Sequence, residues 1–357
     1  MHDAITVPHE RLRGVAARLL VAAGATETDA VIVADHLVDA NLAGHDSHGV
    51  GMVPQYVRAI SSGAVQPRAH ARIEERGGAV LSVDGQRGFG QVVAREGTAA
   101  GMELARSAGV ALVALRNASH VGRVGAYGEQ AAAAGLASVH FVNVVGHPAL
   151  VAPFRGRDAR FSTNPVCVTV PSAKGKPAVV LDFATSVTAL GKARVAMNRG
   201  ETMAEGVLID AQGHPTTDPK VMFQEPRGSI LAFGLHKGYG LAFICELLAG
   251  AMTGGGTLST VPFEPDRIGN NMLSFIFDPQ RLPGASHLEE EIAAAIEHVK
   301  ASPPADPSLP VLVAGEPERA ARAKRTTEGI LVERATWDQI VEAAASVGIR
   351  LENLLLP

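Results

Sequence analysis

The chain reads as an α/β protein with a helical N-terminal region and helices again at its C-terminal end. Three observations carry that reading. The first 44 residues show the apolar spacing of amphipathic helices; from about residue 78 short apolar runs alternate with helical stretches; beyond Pro310 the helical pattern returns. The expected divisions are residues 1–75, a helical region that packs with the C-terminal part; 76–310, an α/β core of two subdomains; and 311–357, the closing helices.

Val7 to Ala23 has apolar residues at helical spacing (Leu12, Val15, Leu19, Leu20) and stops at Gly24, a C′ glycine. Thr26 offers an N-cap oxygen for a second helix from about Glu27 through Ala43, with Asp29 as a capping-box variant. The core begins with a short strand at Ala79–Val83 and a helix at Gln91–Ser107. A buried strand at Val110–Leu115, a polar loop from Arg116 to Gly125, a helix through Ala134 and a strand at Ala137–Val142 make a strand-helix-strand unit. Val179–Phe183 is a further strand, Asp210–Pro219 an ordered turn-rich loop, Lys237–Thr253 a helix, Asn271–Phe277 a strand and Leu288–Lys300 a helix. Ser302–Pro310 is an extended, proline-rich linker before the last two helices.

Composition narrows the function. A net charge of -4 and a pI of about 6.4 give no basic face for nucleic acid. The two cysteines, Cys167 and Cys245, sit in apolar segments and read as reduced core residues. Met1 to Gly14 has no apolar leader core, and the best apolar run, Gly238–Met252, is broken by Glu246, so no membrane span is expected and the expected location is the cytoplasm.

The chemistry concentrates in Gly44-His45-Asp46-Ser47-His48-Gly49. A carboxylate, a hydroxyl and two imidazoles in six residues form a proton-transfer inventory. The plain alternative is a polar helix-to-loop junction. The motif follows a helix C-terminus, where the dipole favours a protonated imidazole. A second constellation, Asn117-Ala118-Ser119-His120-Val121-Gly122-Arg123, lies beyond a buried strand, where open α/β sheets bind ligands; a loop histidine bonded to backbone is the competing reading. Asp182 to Ser186 can bind ribose or phosphate oxygens or simply cap a helix, and His236-Lys237 at a helix start suits an anion or is merely solvated. Gly315-Glu316 with Arg319 and Arg322 fits a surface salt-bridge pattern. No G-x-G-x-x-G follows a strand: Gly88-Phe89-Gly90-Gln91-Val92-Val93 puts valine where the third small residue belongs, so a Rossmann site is not supported. Metal chemistry fits poorly, because His45 and His48 have no further ligand cluster at suitable spacing. No G-x-S-x-G elbow exists for serine chemistry.

Seven collinear segments together resemble the type 2 malate/L-lactate dehydrogenase family. They are NLAGHDSHGVGMVPQYV (41–57), NASHVGRVG (117–125), FSTNP (161–165), LDFATSVTALGKARVA (181–196), DAQGHPTTDP (210–219), HKGYGLAFICELLAGAMTGG (236–255) and AGEPERAAR (314–322). The GHDSHG followed by Gly-Met resembles the hydroxycarboxylate dehydrogenase branch. The resemblance implies a non-Rossmann mixed-sheet fold that binds NAD or NADP, a homodimer with a shared active site, and hydride transfer at C2 of a 2-oxo or 2-hydroxy acid. It implies His48 as acid/base with Ser47 as relay, and His120 as the other histidine to which that role is assigned in some members. Thr163, Leu190 and Gly191 map to substrate contacts. His120, Val121, Gly122, Arg123, Val124, Asp182, Phe183, Ala184, His236, Lys237, Gly315 and Glu316 map to the cofactor. Two departures stand out. Met52 replaces an arginine that many members place four residues after the histidine, which points to a monocarboxylate with an apolar or aromatic side chain. Lys192 replaces the aspartate of imino-acid reductases. Malate, lactate or ureidoglycolate dehydrogenation is the alternative within the family; a catalytically silent ligand-binding homologue is the alternative outside enzymes.

Overall fold

The computed structural model describes residues 4–173 and 176–351; the first three residues and the last six of the C-terminal region lie outside them. Strand β1 (Ala4–Val7) leads into α1 (His9–Ala22) and α2 (Glu27–Leu42). Gly24 closes the first helix at φ +118°, a conformation that side chains avoid. Thr26 caps the second by accepting from the Asp29 N–H at 3.1 Å. Its hydroxyl donates to the Asp29 carboxylate at 2.6 Å, so the capping box closes through side chains. The short helix α3 (Val53–Ser61) completes this layer.

A seven-stranded sheet follows, in the order β2-β3-β4-β11-β5-β6-β7. Its strands are β2 (Arg72–Glu75), β3 (Val80–Asp84), β4 (Val110–Ser119), β5 (Ala137–Val145), β6 (Val166–Val170), β7 (Val179–Phe183) and, later in the chain, β11 (Gly269–Phe277). Only β3 and β4 pair in parallel; every other neighbour is antiparallel. The sheet is mixed, as the resemblance implies. Helices α4 (Gly90–Ala108) and α5 (Gly125–Ala133) bring Val93, Ala94, Ala105 and Ala131 into one cluster with Val113, Leu115, Met272 and Ile276 of the sheet. The expected strand-helix-strand unit β4-α5-β5 exists, but β11 arrives from 130 residues further on and inserts between its strands. Beyond the sheet edge lie α6 (Leu190–Arg199), the small sheet of β8 (Leu208–Ile209), β9 (Pro215–Thr216) and β10 (Ser229–Ile230), and α7 (His236–Cys245). The expected Lys237–Thr253 helix is therefore split: α7 widens at Glu246 into a π-helical turn that ends at Ala251.

The chain closes with α8 (Leu288–Lys300), α9 (Glu316–Glu328), β12 (Ile330–Glu333) and α10 (Arg334–Ser346). β12 pairs antiparallel with β1, a contact between the two ends of the chain. Both strands are four residues long, too short for alternation to declare them. One apolar cluster draws Leu12, Leu19, Leu20 and Leu37 together with Ile330, Trp337 and Ile340. Burying each large side chain there contributes about 1.5–3 kcal/mol. Among the described residues no helix is long and apolar enough to cross a membrane.

Candidate active site

The GHDSHG motif begins where α2 stops. Gly44 turns the chain at φ +87°, and Asp46–His48 form a single 3₁₀ turn. The turn is tied down at both ends. Asn41, 4% exposed, donates to Asp46 at 2.7 Å and accepts the Val50 N–H at 2.8 Å. A Cβ at Gly49 would lie 2.2 Å from the Asn41 amide oxygen, so the second glycine of the motif is required by close approach. From the far end of the chain, Arg325 on α9 grips the Asp46 carboxylate with both guanidinium arms, at 2.6 and 3.0 Å. Glu318 meets His45 at 3.3 Å. Asp46 and His45 are thus anchors, and they leave Ser47 and His48 to face the site.

Ser47 Oγ lies 2.9 Å from His48 Nδ1. A Cβ built on Gly191 would touch the Ser47 side chain at 3.7 Å, so the start of α6 abuts the motif. The His48 ring stacks on His120 at 5.5 Å with an interplanar angle of 24°. Burial, with the charges of His45 and Arg123 behind it, pulls His48 down to about 4. The helix-end dipole does not prevail: the expectation of a readily charged imidazole is overturned by desolvation in a site already holding a buried guanidinium.

His120 reaches the same place from the sheet. β4 runs on through Ser119, so Arg116–Ser119 are strand where a loop is expected, and the true loop is confined to 120–124. The cause is β11, which pairs with β4 as far as Gly269–Ser119. Asn117 sits at φ +56° opposite an irregularity between Asn270 and Met272. Two asparagines of β11 then hold the strand end: Asn271 accepts the Asn117 N–H and Asn270 accepts the Val121 N–H, each at 2.9 Å. Both pass the load to Asn143 on β5, whose amide donates to Glu246 at 3.1 Å. Glu246, 4% exposed, also accepts from Asn164 at 2.8 Å and from the Leu258 N–H at 3.0 Å. The loop is gripped from α2 as well, because the Arg123 N–H donates to His36 Nε2 at 2.9 Å. Gly122, at φ +71°, packs so close to that imidazole that a Cβ would lie 2.3 Å from it. Burial, then the neighbouring His48, His36 and His147, keeps His120 well below the ordinary histidine range.

A cavity of about 400 Å³ opens beside this loop, lined by Arg123, Asp182, Gly315, Glu318, Arg319 and Arg322 among others. Arg123 is 3% exposed; one arm meets Glu129 at 2.5 Å, while Nε and Nη1 are buried without a partner. Asp182 accepts the Gly125 N–H at 2.7 Å, and burial raises its carboxyl against the pull of Arg123. Unpaired buried guanidinium nitrogens beside a roomy cavity suit an anionic, ribose-bearing ligand, so these residues fit a dinucleotide cofactor. The other expected residues are more dispersed. Glu316 is bound by Lys300 at 2.5 Å and by the Val313 N–H, so it shapes the turn before α9. Phe183 packs edge-on against Phe233, and His236 and Lys237 are exposed at the start of α7. The Thr163 carbonyl accepts both the N–H and the hydroxyl of Thr185 at 2.9 Å. Leu190 packs against the cluster around Ile230, and Met52 against the helical core. Among the described residues no group of three or more His, Cys, Asp or Glu side chains could hold a metal ion.

Sequence reasoning missed His36, Tyr56, Gln91, Asn143, Asn270 and Glu246. The Asn270-Asn271 pair inside an otherwise apolar strand was the available signal, since buried amides in a sheet must be bonded to something.

Comparison with known proteins agrees with this architecture. Residues 7–341 match the malate/L-lactate dehydrogenase family. Hydroxycarboxylate dehydrogenase B of Escherichia coli K12 is 48% identical over 333 residues, 93% of this chain and 91% of the relative. The L-lactate dehydrogenase of Cupriavidus necator is 38% identical over 317 residues, 89% and 90% of the two chains. The solved structure of sulfolactate dehydrogenase from Methanocaldococcus jannaschii superposes with a TM-score of 0.87 at 30% identity, covering 98% of this chain and 99% of its own. The chain therefore belongs to the malate/L-lactate dehydrogenase family, whose dehydrogenases use nicotinamide cofactors, and is an oxidoreductase of 2-hydroxy acids.

Proposed function

We propose that the protein transfers hydride between NAD(P)H and C2 of a 2-oxo acid, and in reverse from the 2-hydroxy acid, with His48 and His120 handling the proton. The observation that carries this is the stacked imidazole pair, each ring backed at Nδ1 by a hydroxyl so that its Nε2 is spared for a substrate oxygen. Arg123, Asp182, Gly315, Arg319 and Arg322 would hold the cofactor, which supplies or accepts the hydride at C2. During reduction an imidazolium at the pair donates its proton to the oxygen of C2 and stabilises the negative charge developing there. Two imidazoles this close repel when both are charged, so the pair carries no more than one extra proton at a time. Ser47 orients His48, and the Gly191 backbone closes the wall beside it. Thr163 and Leu190 complete the substrate side, with Met52 favouring an apolar or aromatic monocarboxylate. The test is an oxidation-rate screen of NADH and NADPH against a panel of 2-oxo acids. Consumption of neither cofactor with any of them would refute the reading.

The protein also forms a homodimer with a shared site in this proposal. Phe243, Ile244 and Leu247, along α7 and its π turn, and Met252 just after the turn are 36–70% exposed, an apolar strip of the kind that marks an interface. His236 and Lys237 open the same helix. Light scattering that showed an active monomer at assay concentration would count against it.

A further inference from the structure

Tyr56 lies on α3, eight residues after His48, and is 4% exposed. Its hydroxyl is 2.7 Å from His120 Nδ1, and the side-chain amide of Gln91 donates to it, also at 2.7 Å. Gln91 is 1% exposed, and its Oε1 is buried without a partner. The space behind the ring is a cavity of about 10 Å³ lined by Gln55, Tyr56, Gln91, Ser119, His120 and Asp266 among others. That is room for about one water. Tyr56 therefore sets what Nδ1 does.

An amide N–H can only donate. With Gln91 donating to the Tyr56 oxygen, the phenol proton is directed at His120 Nδ1, and a ring nitrogen that accepts leaves the proton on its partner. We propose that Tyr56 and Gln91 are positioning residues that hold His120 in its Nε2–H tautomer and reserve Nε2 for the substrate oxygen. This rests on the reading of His120 as a group at the reacting oxygen.

The arrangement also accommodates the charged ring. When His120 is an imidazolium, Nδ1–H donates to the Tyr56 oxygen, and the phenol proton needs a new acceptor. A half-turn of the Gln91 amide brings Oε1, idle in the neutral state, to that position. One amide atom goes unpaired in either orientation, so the half-turn itself adds no further unpaired group. In reduction the Nε2–H bond of the imidazolium breaks, its electron pair stays on Nε2, and the proton joins the lone pair that hydride addition leaves on oxygen. The ring is left for that moment as Nδ1–H against the Tyr56 oxygen; a proton taken from solvent at Nε2 restores the imidazolium, which relaxes to the Nε2–H tautomer on losing its Nδ1 proton. Burial raises the Tyr56 phenol above its ordinary value, so the relay stops at the imidazole and no tyrosinate forms.

The test is nitrogen-15 NMR of the histidine rings in the full-length protein, with the His120 signals assigned by their loss in His120→Gln. Kinetics are measured in parallel. Wild-type neutral His120 should show the Nε2–H tautomer alone. Tyr56→Phe should give a mixture of tautomers and lower kcat by roughly 10- to 100-fold while KM moves by less than about threefold. Gln91→Glu, whose carboxylate can only accept, should reverse the relay and move the proton to Nδ1. A wild-type His120 protonated on Nδ1, or a tautomer unchanged in Tyr56→Phe, overturns the proposal. If the tautomers move as stated but the wild type consumes no 2-oxo acid, the relay stands and the functional reading fails.

Discussion

His48 and His120 meet face to face, yet the two regions that deliver them are built on opposite plans. The His48 region is local: its hydroxyl partner is the preceding residue, and its acidic anchor is two residues away. The His120 region is assembled from afar. Its hydroxyl partner is 64 residues distant, its loop hangs from an asparagine 149 residues distant, and a third grip comes from a helix 87 residues earlier. The local region is aimed by two contacts from α9, Arg325 on Asp46 and Glu318 on His45. The assembled region needs a ladder of buried amides, because polar groups in a sheet interior are tolerated only when every one is bonded. The contrast predicts where damage stays local and where it spreads.

The largest effect should come from the rings themselves. His48→Ala and His120→Ala should each lower kcat by roughly 10²–10⁴-fold, the usual size of general acid–base catalysis. Near wild-type kcat in both variants would remove the pair from the mechanism. Next in size is the ladder. Glu246→Ala strips the acceptor from Asn143, Asn164 and the Leu258 N–H at once, and should cost about 3–5 kcal/mol in denaturant unfolding. A loss below about 1 kcal/mol would show that water takes over the role of the carboxylate. A salt-bridge variant on the local side, Arg325→Ala, should cost no more than about 1 kcal/mol, because Asp46 is half exposed.

The sheet carries a further histidine that sharpens the comparison through pH. His140 is fully buried between Ser138 and Ser274, and burial pulls it from 6.5 to about 4. The unfolded chain binds this proton more readily than the folded one. Its stabilising share is therefore whole above pH 6.5 and is lost as pH falls towards 4, by about 1.4 kcal/mol per pH unit. His36 and His48 act with the same sign. Unfolding midpoints between pH 4.5 and 7.5 should fall more gently with acid in His140→Gln, and an unchanged slope would exclude His140.

The legibility of the chain follows the same division. The motif at 44–49, the helices α1, α2 and α8, and the absence of a Rossmann site can all be read from neighbouring residues, because caps, turns and apolar spacing act over a few positions. The extension of β4 to Ser119 could not, because β11 imposes it from 150 residues away. β1 and β12 escaped because four-residue strands carry too little alternation. Of the cavity residues, Arg123 and Asp182 stood out in their own segments, whereas Arg319 and Arg322 read as a surface salt-bridge pattern, because only the fold turns α9 towards the 120–124 loop. Tyr56 and Gln91 look like ordinary core positions until the fold places them behind His120.

The smallest and most discriminating effect concerns substrate choice at Met52. This residue closes the 3₁₀ turn that follows His48 and is half-buried against the helical core. A thioether there fills apolar space and contacts aromatic rings, whereas a guanidinium would pair with a second carboxylate. The nearby cation Arg58 does not substitute, since it donates to Gln55 at 2.8 Å and lies 3.8 Å from Asp266. Arg123 belongs to the wall of the other cavity and is held by Glu129. A dicarboxylate bound against Met52 would leave one charge unpaired, at a cost of roughly several kcal/mol. Phenylpyruvate-like acids should therefore be turned over with higher kcat/KM than oxaloacetate, and Met52→Arg should shift the ratio towards oxaloacetate by roughly tenfold, the worth of about 1.4 kcal/mol. Because Met52 belongs to the local region, the change should leave the Tyr56–His120 tautomer untouched. A wild-type preference for oxaloacetate or malate over every monocarboxylate tested would show that another group supplies the second cation.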